Sequence, residues 1–325
     1  MIEAAKNIYC FPVPLPKNPL KELNCYIIKG DGRHLMVDAG FNTDEGHAAV
    51  NHAFSELGIS LKDTDIFLTH LHADHTGLIE RLKADCGDIY ISETDGGYVN
   101  KAFMDSYWTS RTERQRLMGF PENEILDYKQ HPMYKYGAKT HTDFQFVSPG
   151  KAFSYSGYNF TAIDLKGHTP GQLGLYDKEK GVLFCGDHVL NKITPNIQLW
   201  EFETDSLGCF LENLKKVRQL DIKLLLSAHR SFIKNHAGRI DELLLHHERR
   251  LANILSLLKN GKTIPYEIAS GILWEFGDGV FEAFPPAQKM FASSEVLAHL
   301  EHLRRLGEVS LVSTDPVYVY QAARA

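Results

Sequence analysis

Residues 68–77 of this chain read Leu68-Thr69-His70-Leu71-His72-Ala73-Asp74-His75-Thr76-Gly77. The stretch continues the apolar, β-prone segment Asp65-Ile66-Phe67-Leu68, so the sequence predicts a strand that leads into a loop. In such a loop the three histidines and the aspartate need not alternate across a sheet, and they can converge on one point. Because neutral imidazole and carboxylate suit zinc, iron and manganese, the stretch indicates a metal site rather than a solvated polar loop.

The size and charge of the chain exclude some classes of function. With 325 residues, it is longer than one small domain needs, so we expect one large domain or two modest ones. The formal net charge of −6 gives no general attraction to nucleic acid or to an anionic membrane. We therefore expect a small-molecule substrate and no membrane partner, and a nucleic-acid partner is not favoured.

The cysteines and the first residues indicate a compartment. Five cysteines are scattered along the chain and form no Cys-x-x-Cys pattern, which fits a reducing environment. Residues 1–10 show neither a signal peptide nor a transit peptide, and no apolar run approaches the roughly 18 residues of a membrane helix. We therefore expect a cytoplasmic protein.

The order of predicted elements places polar residues at strand ends. Strands are predicted at 24–28, 34–40, 65–69, 88–92, 144–147, 159–163, 172–176, 181–187 and 223–229, with helices at 43–57 and 202–220. Four prolines predict an irregular or edge segment at 8–20. The first part of the chain therefore alternates strand and helix.

Residues 95–143 differ from their surroundings and are interpreted as an insertion, either a lid or an arm. Aromatic side chains are interleaved with arginines there, and helical spacing is predicted around 99–118. Four side chains of the insertion are candidate contacts to the acyl chain and the anionic group of a substrate: Tyr107, Trp108, Arg111 and Arg114. Lys192, outside the insertion, is a further candidate contact to an anionic group.

The last ninety residues depart from the strand–helix alternation. Helices are predicted at 239–258, 265–274 and 288–306, followed by a hairpin at 308–320. Helices followed by a hairpin resemble a winged-helix module. The predicted division is a catalytic domain at 1–236, with the insertion, and a winged-helix-like domain at 237–325 that packs on the first or forms a homodimer contact.

Three further ligand candidates each follow a small residue and an apolar run. They are His168 in Gly167-His168, Asp187 in Gly186-Asp187 and His229 in Ala228-His229. A small preceding residue allows a loop to approach an ion closely. Each of the three is weak evidence alone, since a histidine after a strand is usually structural.

Together and in this order, these residues resemble the metallo-β-lactamase superfamily, whose His-x-His-x-Asp-His motif matches positions 70–75 without a gap. The resemblance covers about residues 8–235 and implies a four-layer αββα sandwich of the α/β class. It implies two divalent metal ions, zinc first, with iron and manganese as alternatives. It further implies that the first metal is held by His70, His72 and His168, the second by Asp74, His75 and His229, with Asp187 as the bridge.

The same resemblance implies roles for three carboxylates. Asp74 and Asp187 would be catalytic, since they would orient a metal-bridging hydroxide for hydrolysis. Asp38 would accept hydrogen bonds that orient the histidines. The ligand set alone leaves esters, thioesters, lactones and phosphodiesters open as substrates.

Two finer resemblances favour different substrates. The segments around residues 167–172 and 186–188 look most like glyoxalase II-like hydrolases, which favours a thioester or ester of a small acyl compound. The C-terminal module looks like that of superfamily members related to β-lactamase-like protein 2, some of which cut RNA. An RNA endonuclease is therefore the first alternative, and an iron-dependent oxidoreductase on the same scaffold is the second.

Overall fold

Two stacked β-sheets form the centre of the molecule in the computed structural model, which describes residues 1–274 and 279–323. The side chains between the sheets are buried and apolar, among them Ile28 and Phe67 from one sheet and Phe160 and Phe184 from the other. Helices cover the outer face of each sheet. Except in the edge strands at residues 2–5, 145–146 and 152–155, both faces of each sheet are largely buried, so most of the inner strands read as continuous apolar runs.

The first sheet contains seven strands in chain order. They are β1 (Ile2–Ala5), β2 (Ile8–Pro14), β3 (Glu22–Ile28), β4 (His34–Val37), β5 (Thr64–Phe67), β6 (Ile89–Ile91) and β7 (Gln145–Phe146). The proline-rich segment at 8–20, expected to be irregular or an edge, is therefore a strand over residues 8–14. β1 pairs only with residues 8–10, so Pro12 and Pro14 lie beyond the end of β1, where a missing amide donor breaks no ladder.

The second sheet contains five strands. They are β8 (Ala152–Tyr155), which was not predicted, β9 (Tyr158–Asp164), β10 (Leu173–Asp177), β11 (Val182–Gly186) and β12 (Leu224–Ser227). Their order across the sheet is β12-β11-β10-β9-β8.

The helices of the first half cover the first sheet. They are α1 (Asp44–Leu57), α2 (Ala73–Thr76), α3 (Ile79–Leu82), α4 (Glu93–Val99), α5 (Asp105–Leu117) and α6 (Pro132–Tyr136). Helix α1 begins where the Thr43 side chain accepts from the Gly46 amide, and it ends at Gly58, whose φ of 61° is left-handed. Its buried face includes Val50 and Phe54, as the helical spacing predicts.

The insertion is packed onto the rest of the molecule. The helix predicted at 99–118 is interrupted at residues 100–104, where the Ala102 carbonyl accepts a hydrogen bond from the Trp108 indole at 2.7 Å. On one side, Tyr136 stacks on Phe41. On the other, the ring of Phe120 packs against Tyr266 of the C-terminal helices.

The C-terminal region follows the predicted order of helices and hairpin. It contains α8 (His236–Lys259), α9 (Pro265–Ser270) and α10 (Pro286–Arg305), then β13 (Val309–Ser313) paired with β14 (Val319–Ala322). Helices α8 and α10 pack on α7 (Ser206–Arg218) in one continuous apolar core. The helix predicted at 265–274 is shorter than expected and ends at Ser270, and residues 275–278 lie outside the described residues. The winged-helix assignment and the domain boundary at 236 stay predictions.

The described helices include none long and apolar enough to cross a membrane. The cytoplasmic location stays a prediction.

Candidate metal centre

Parallel pairing of β4 and β5 brings the loop that carries His70 and His72, the first ligand loop, to one edge of the first sheet. Val37 of β4 is in register with Phe67 of β5, so Asp38 and Thr69 emerge side by side at the carboxyl ends of their strands. Helix α2 then begins directly after His72, and it carries Asp74 and His75. The remaining candidate ligands follow β9, β11 and β12.

Two glycines let the second sheet approach the site. Gly167 has a φ of 139°, and a Cβ there would lie 2.6 Å from the Cα of Phe210. Gly186 has a φ of 51°, and a Cβ there would lie 2.7 Å from the hydroxyl oxygen of Thr69. Larger residues at either position would push the following ligand, His168 or Asp187, away from its place.

The seven predicted ligand side chains meet in three overlapping groups whose ligand atoms lie within 4.8 Å of one another. The groups are His70, His72 and His168; His70, His75 and Asp187; and Asp74, His75 and His229. The structure therefore brings together every residue that the sequence predicted as a ligand. Their binding of metal stays a prediction.

The first group is a compact set of three nitrogens. Nδ1 of His72 lies 3.0 Å from Nε2 of His70 and 3.0 Å from Nε2 of His168. Three nitrogens on a tetrahedral zinc ion, with bonds of about 2.05 Å, would be roughly 3.3 Å apart. The spacing therefore suits one small divalent cation.

Asp187 lies between the group of His70, His72 and His168 and the group of Asp74, His75 and His229. Its Oδ2 is 3.7 Å from Nε2 of His168, and its Oδ1 is 3.6 Å from Nε2 of His75 and 3.5 Å from Nε2 of His229. Oδ2 of Asp74 lies 3.4 Å from the same nitrogen of His229. One carboxylate thus presents a different oxygen to each group, as a bridging ligand does.

Unpartnered buried atoms test whether a cation fits. Nε2 of His75, Nε2 of His229 and Oδ1 of Asp187 are buried and have no hydrogen-bond partner among the described residues. Burying such atoms unpaired is unfavourable, and all three face the same point. A divalent cation would satisfy all three, so the residues present fit the metal that the ligand set predicts.

The charges around the site act differently on different predicted ligands. Burial, together with neighbouring His168, lowers the pKa of His72 to about 3, so that imidazole is neutral at physiological pH. Burial opposes ionisation of Asp187, but His229 and His75 outweigh it and hold the pKa of the Asp187 carboxyl well below its ordinary value. Burial opposes protonation of His75 and His229, but Asp187 and the other nearby carboxylates outweigh it and raise the pKa of both imidazoles. Since a metal ligand must be a neutral imidazole, these two histidines would release a proton when a divalent cation binds.

Asp38 contacts the loop that carries His70 and His72, and its implied role in orienting the histidines stays a prediction. Its Oδ1 accepts from the amide of Thr69 at 2.8 Å, and its Oδ2 lies 2.9 Å from Nδ1 of His75. The Thr69 hydroxyl lies 3.1 Å from Nδ1 of His70. These contacts leave Nε2 of both histidines directed to the site.

Backbone carbonyls orient two further ligands. Nδ1 of His168 lies 2.8 Å from the carbonyl oxygen of Asn196, and Nδ1 of His229 lies 2.9 Å from that of Glu22. The Trp200 indole donates to the carbonyl of His168 at 3.1 Å, and its ring centre is 6.2 Å from that of His72. Asn196 and Trp200 were not predicted as site residues, since they follow no strand and belong to no motif.

Asp95 is a further buried carboxylate that the sequence analysis missed. It accepts from the amides of Leu71 at 3.0 Å and Gly171 at 2.7 Å, and from the Thr169 hydroxyl at 2.6 Å. It therefore ties the loop of His70 and His72 to the loop of His168. Burial raises the pKa of Asp95 to about 7, against the effect of these donors. Its sequence signal, an acid three residues after Ser92, indicates only a helix start.

The predicted substrate contacts lie in different surroundings. Trp108 is buried inside the insertion, where its ring stacks on Tyr128. Arg114 donates to the carbonyls of Leu199 at 3.0 Å and Trp200 at 2.8 Å.

The other three candidates lie nearer the surface. The guanidinium carbon of Arg111 is 5.1 Å from the ring centre of Tyr107 and 4.9 Å from that of Trp200. Lys192 lines a cavity of about 330 Å³ together with Arg239 and Arg249. All five substrate-contact assignments stay predictions.

Comparison with known sequences agrees with this geometry. The sequence model of the Metallo-beta-lactamase superfamily matches residues 21–229. A probable metallo-hydrolase of Bacillus subtilis is 22% identical over 314 residues, which is 92% of each chain. An atrochrysone carboxyl ACP thioesterase of Aspergillus fumigatus is 23% identical over 76% of this chain and 47% of its own. A hydroxyacylglutathione hydrolase of Haemophilus influenzae is 28% identical over 50% of this chain and 65% of its own.

A solved structure agrees with the fold. The crystal structure of a metallo-beta-lactamase family protein from Thermus thermophilus superposes with a TM-score of 0.83 at 27% identity, covering 98% of this chain and 99% of that one. The four-layer sandwich predicted from the sequence is thereby confirmed.

Proposed function

This chain belongs to the metallo-beta-lactamase superfamily of metal-dependent hydrolases, and we propose that it hydrolyses a thioester or ester of a small acyl compound that carries an anionic group. The observation that carries the hydrolytic part is the complete cluster, in which Asp187 faces both His168 and His229. Two divalent ions, zinc first, would lower the pKa of a coordinated water to about 7 and polarise the scissile carbonyl.

The carboxylates supply the rest of the hydrolytic chemistry. Burial opposes ionisation of Asp74 and Asp187, but His75 and His229 outweigh it and hold the pKa of each carboxyl below its ordinary value. Both side chains are therefore carboxylates at neutral pH. Their oxygens accept hydrogen bonds from the attacking water and thereby orient it towards the acyl carbon.

A cysteine nucleophile is not required. Cys185 lies two residues before Asp187, but burial raises the pKa of its thiol to about 12, so it is not a thiolate at neutral pH. Its sulfur instead contacts the backbone carbonyls of Val189 and Leu226. Cys185 is therefore a core residue.

The thioester preference is supported by relatives and by cationic side chains. One relative is named as an ACP thioesterase and another as a hydroxyacylglutathione hydrolase, although both are distant. Arg111 lies against Trp200, whose ring is near His72, and it could pair with a carboxylate or phosphate of the substrate. Lys192 and Arg249 lie at a cavity that could take a similar group.

A substrate panel tests the proposal. The zinc-loaded protein would be assayed with acyl-CoA and glutathione thioesters, lactones, phosphodiesters and short RNA, alongside the Asp74→Ala variant. We expect thioester or ester turnover that Asp74→Ala lowers by at least about 100-fold. RNA cleavage that is lost in Asp74→Ala, without thioester turnover, would instead establish the endonuclease alternative.

A further inference from the structure

The loop that follows the bridging ligand, residues 189–200, contacts His168 at two points. The carbonyl oxygen of Asn196 lies 2.8 Å from Nδ1 of the imidazole, and the Trp200 indole donates to the His168 backbone carbonyl at 3.1 Å. The loop thus determines both the ring orientation and the backbone position of one predicted ligand.

This loop contains neither helix nor strand, so other elements must fix its shape. Arg239 of α8 donates to the carbonyls of Leu190 and Ile193, each at 2.8 Å. Arg114 of α5 donates to the carbonyls at the other end of the loop. Residues of the insertion and of the C-terminal helices therefore hold both ends.

The middle of the loop is held by a buried ion pair. The Asn196 side chain donates from Nδ2 to Oε2 of Glu295 at 2.8 Å, and Oε1 of Glu295 accepts from Arg250 at 3.1 Å. Glu295 and Arg250 are each 6% exposed, and Arg250 also stacks over the Trp274 ring at 4.1 Å. Because both charges are buried, loss of either would leave its partner uncompensated and would displace it.

These contacts form one continuous series from helices α8 and α10 to His168. We propose that Glu295 and Asn196 are positioning residues, through which the C-terminal helices fix the imidazole of His168 for metal binding. The proposal rests on the metal-binding role proposed above for His70, His72 and His168. It assigns the C-terminal region a part in the metal centre in addition to packing.

Helix α10 also supplies a matched control. Glu301 is buried on the same helix and accepts from Arg304 at 2.7 Å and from the Tyr320 hydroxyl at 2.7 Å. Within the described part of the chain, its hydrogen bonds and ion pairs include none to residues 189–200. Neutralising Glu301 therefore perturbs a buried carboxylate of the same helix, whose ionic partner Arg304 is 38% exposed, and leaves the contacts that end at His168 in place.

The test measures zinc affinity of the full chain by competition with a chelator, for wild type, Asn196→Ala, Glu295→Gln and Glu301→Gln. We expect Asn196→Ala and Glu295→Gln each to weaken zinc binding about tenfold, as loss of partners behind a metal ligand does, and Glu301→Gln to leave it unchanged. The double variant that combines Asn196→Ala with Glu295→Gln should lose no more zinc affinity than the more affected single variant, because Glu295 acts on His168 through Asn196.

A spectroscopic measurement separates positioning from stability. The visible spectrum of the cobalt-substituted protein reports the geometry of the ligands, and it should change in Asn196→Ala and not in Glu301→Gln. Thermal unfolding of the metal-free variants measures the stability of the folded chain without any contribution from bound metal.

Two results would overturn the inference. Asn196→Ala keeps the backbone carbonyl that faces His168 and removes only the side-chain hydrogen bond to Glu295. Wild-type zinc affinity and a wild-type cobalt spectrum in this variant would show that this hydrogen bond does not position His168. That result would count even if Glu295→Gln fails to fold. Equal loss of affinity in Glu295→Gln and Glu301→Gln would show an effect of stability only. A wild-type chain that binds no zinc, cobalt, iron or manganese would contradict the proposed function itself.

Discussion

Oδ2 of Asp38 lies 2.9 Å from Nδ1 of His75, and both side chains are buried beneath the candidate metal centre. The carboxylate fixes which nitrogen of the imidazole faces the site. Asp38 itself has a φ of 61°, a left-handed conformation that asparagine and aspartate tolerate better than other side chains.

Asp38→Asn should therefore keep the backbone and lose the orientation of His75. An amide nitrogen in place of Oδ2 cannot accept from Nδ1, so we expect metal affinity to fall about 10–100-fold. Chelator competition would measure the loss. Unchanged affinity would show that His75 is oriented by other contacts.

His229→Ala should remove the second metal and retain the first. His229 faces Asp74 and Asp187, whereas the group of His70, His72 and His168 does not include it. Elemental analysis of protein in metal-free buffer should give two ions per wild-type chain and one per variant chain. His52→Ala, at a side chain that is 81% exposed, is the control. One ion in wild type and variant alike would contradict the dinuclear site.

Asp95→Asn should weaken the connection between two ligand loops. The carboxylate accepts three hydrogen bonds, and an amide there would turn one acceptor into a donor facing other donors. We expect a loss of about 1–3 kcal/mol in the free energy of unfolding, with weaker metal binding. Denaturant titration of metal-free protein and chelator competition would measure the two effects. Wild-type values in both would rule out this role.

Arg111→Ala should raise KM for an anionic thioester and change kcat little, since Arg111 contacts rings around the site and not the ligands themselves. Arg116→Ala is the matched control. Arg116 lies on the same helix but pairs with Glu113 and Glu122 at the surface. Steady-state kinetics on CoA thioesters would distinguish the two variants. Equal KM values in Arg111→Ala and Arg116→Ala would contradict a role of Arg111 in substrate binding.

Asp205 should make stability depend on pH. It caps α7 through the Gly208 amide and lies 2.9 Å from His302. Burial opposes its ionisation, but His302 and the capped amide outweigh burial and lower the pKa of Asp205. Because the folded pKa lies below the unfolded value of about 3.9, this stabilisation is present above about pH 4 and is lost as the pH falls through the folded pKa.

Asp205→Asn should therefore be less stable than wild type at about pH 6, by up to about 1 kcal/mol once solvent around the half-buried carboxyl is allowed for. The difference should shrink as the pH falls below about 4 and through the lowered pKa of the wild-type carboxyl, which then becomes protonated. Urea titrations at several pH values would measure it. A difference that stays constant across this range would exclude the ionised carboxylate as its source.

The sequence was informative wherever a ligand type followed a buried strand. The cluster at 70–75 and the single residues His168, Asp187 and His229 each follow such a run, and the structure places all seven together. The break in the helix predicted at 99–118 could not be read from periodicity, because apolar spacing does not show a side-chain contact such as that of the Trp108 indole with the Ala102 carbonyl.

The sequence by itself determined the strand–loop pattern, the ligand types and the family, because these depend on local periodicity and on an ordered motif. Only the tertiary structure decided how the ligands are held. Asn196 contacts His168 from 28 residues away, and Asp95 contacts Leu71 and Thr169 across 24 and 74 residues. Such contacts form when separate loops pack together, so no short stretch of sequence records them.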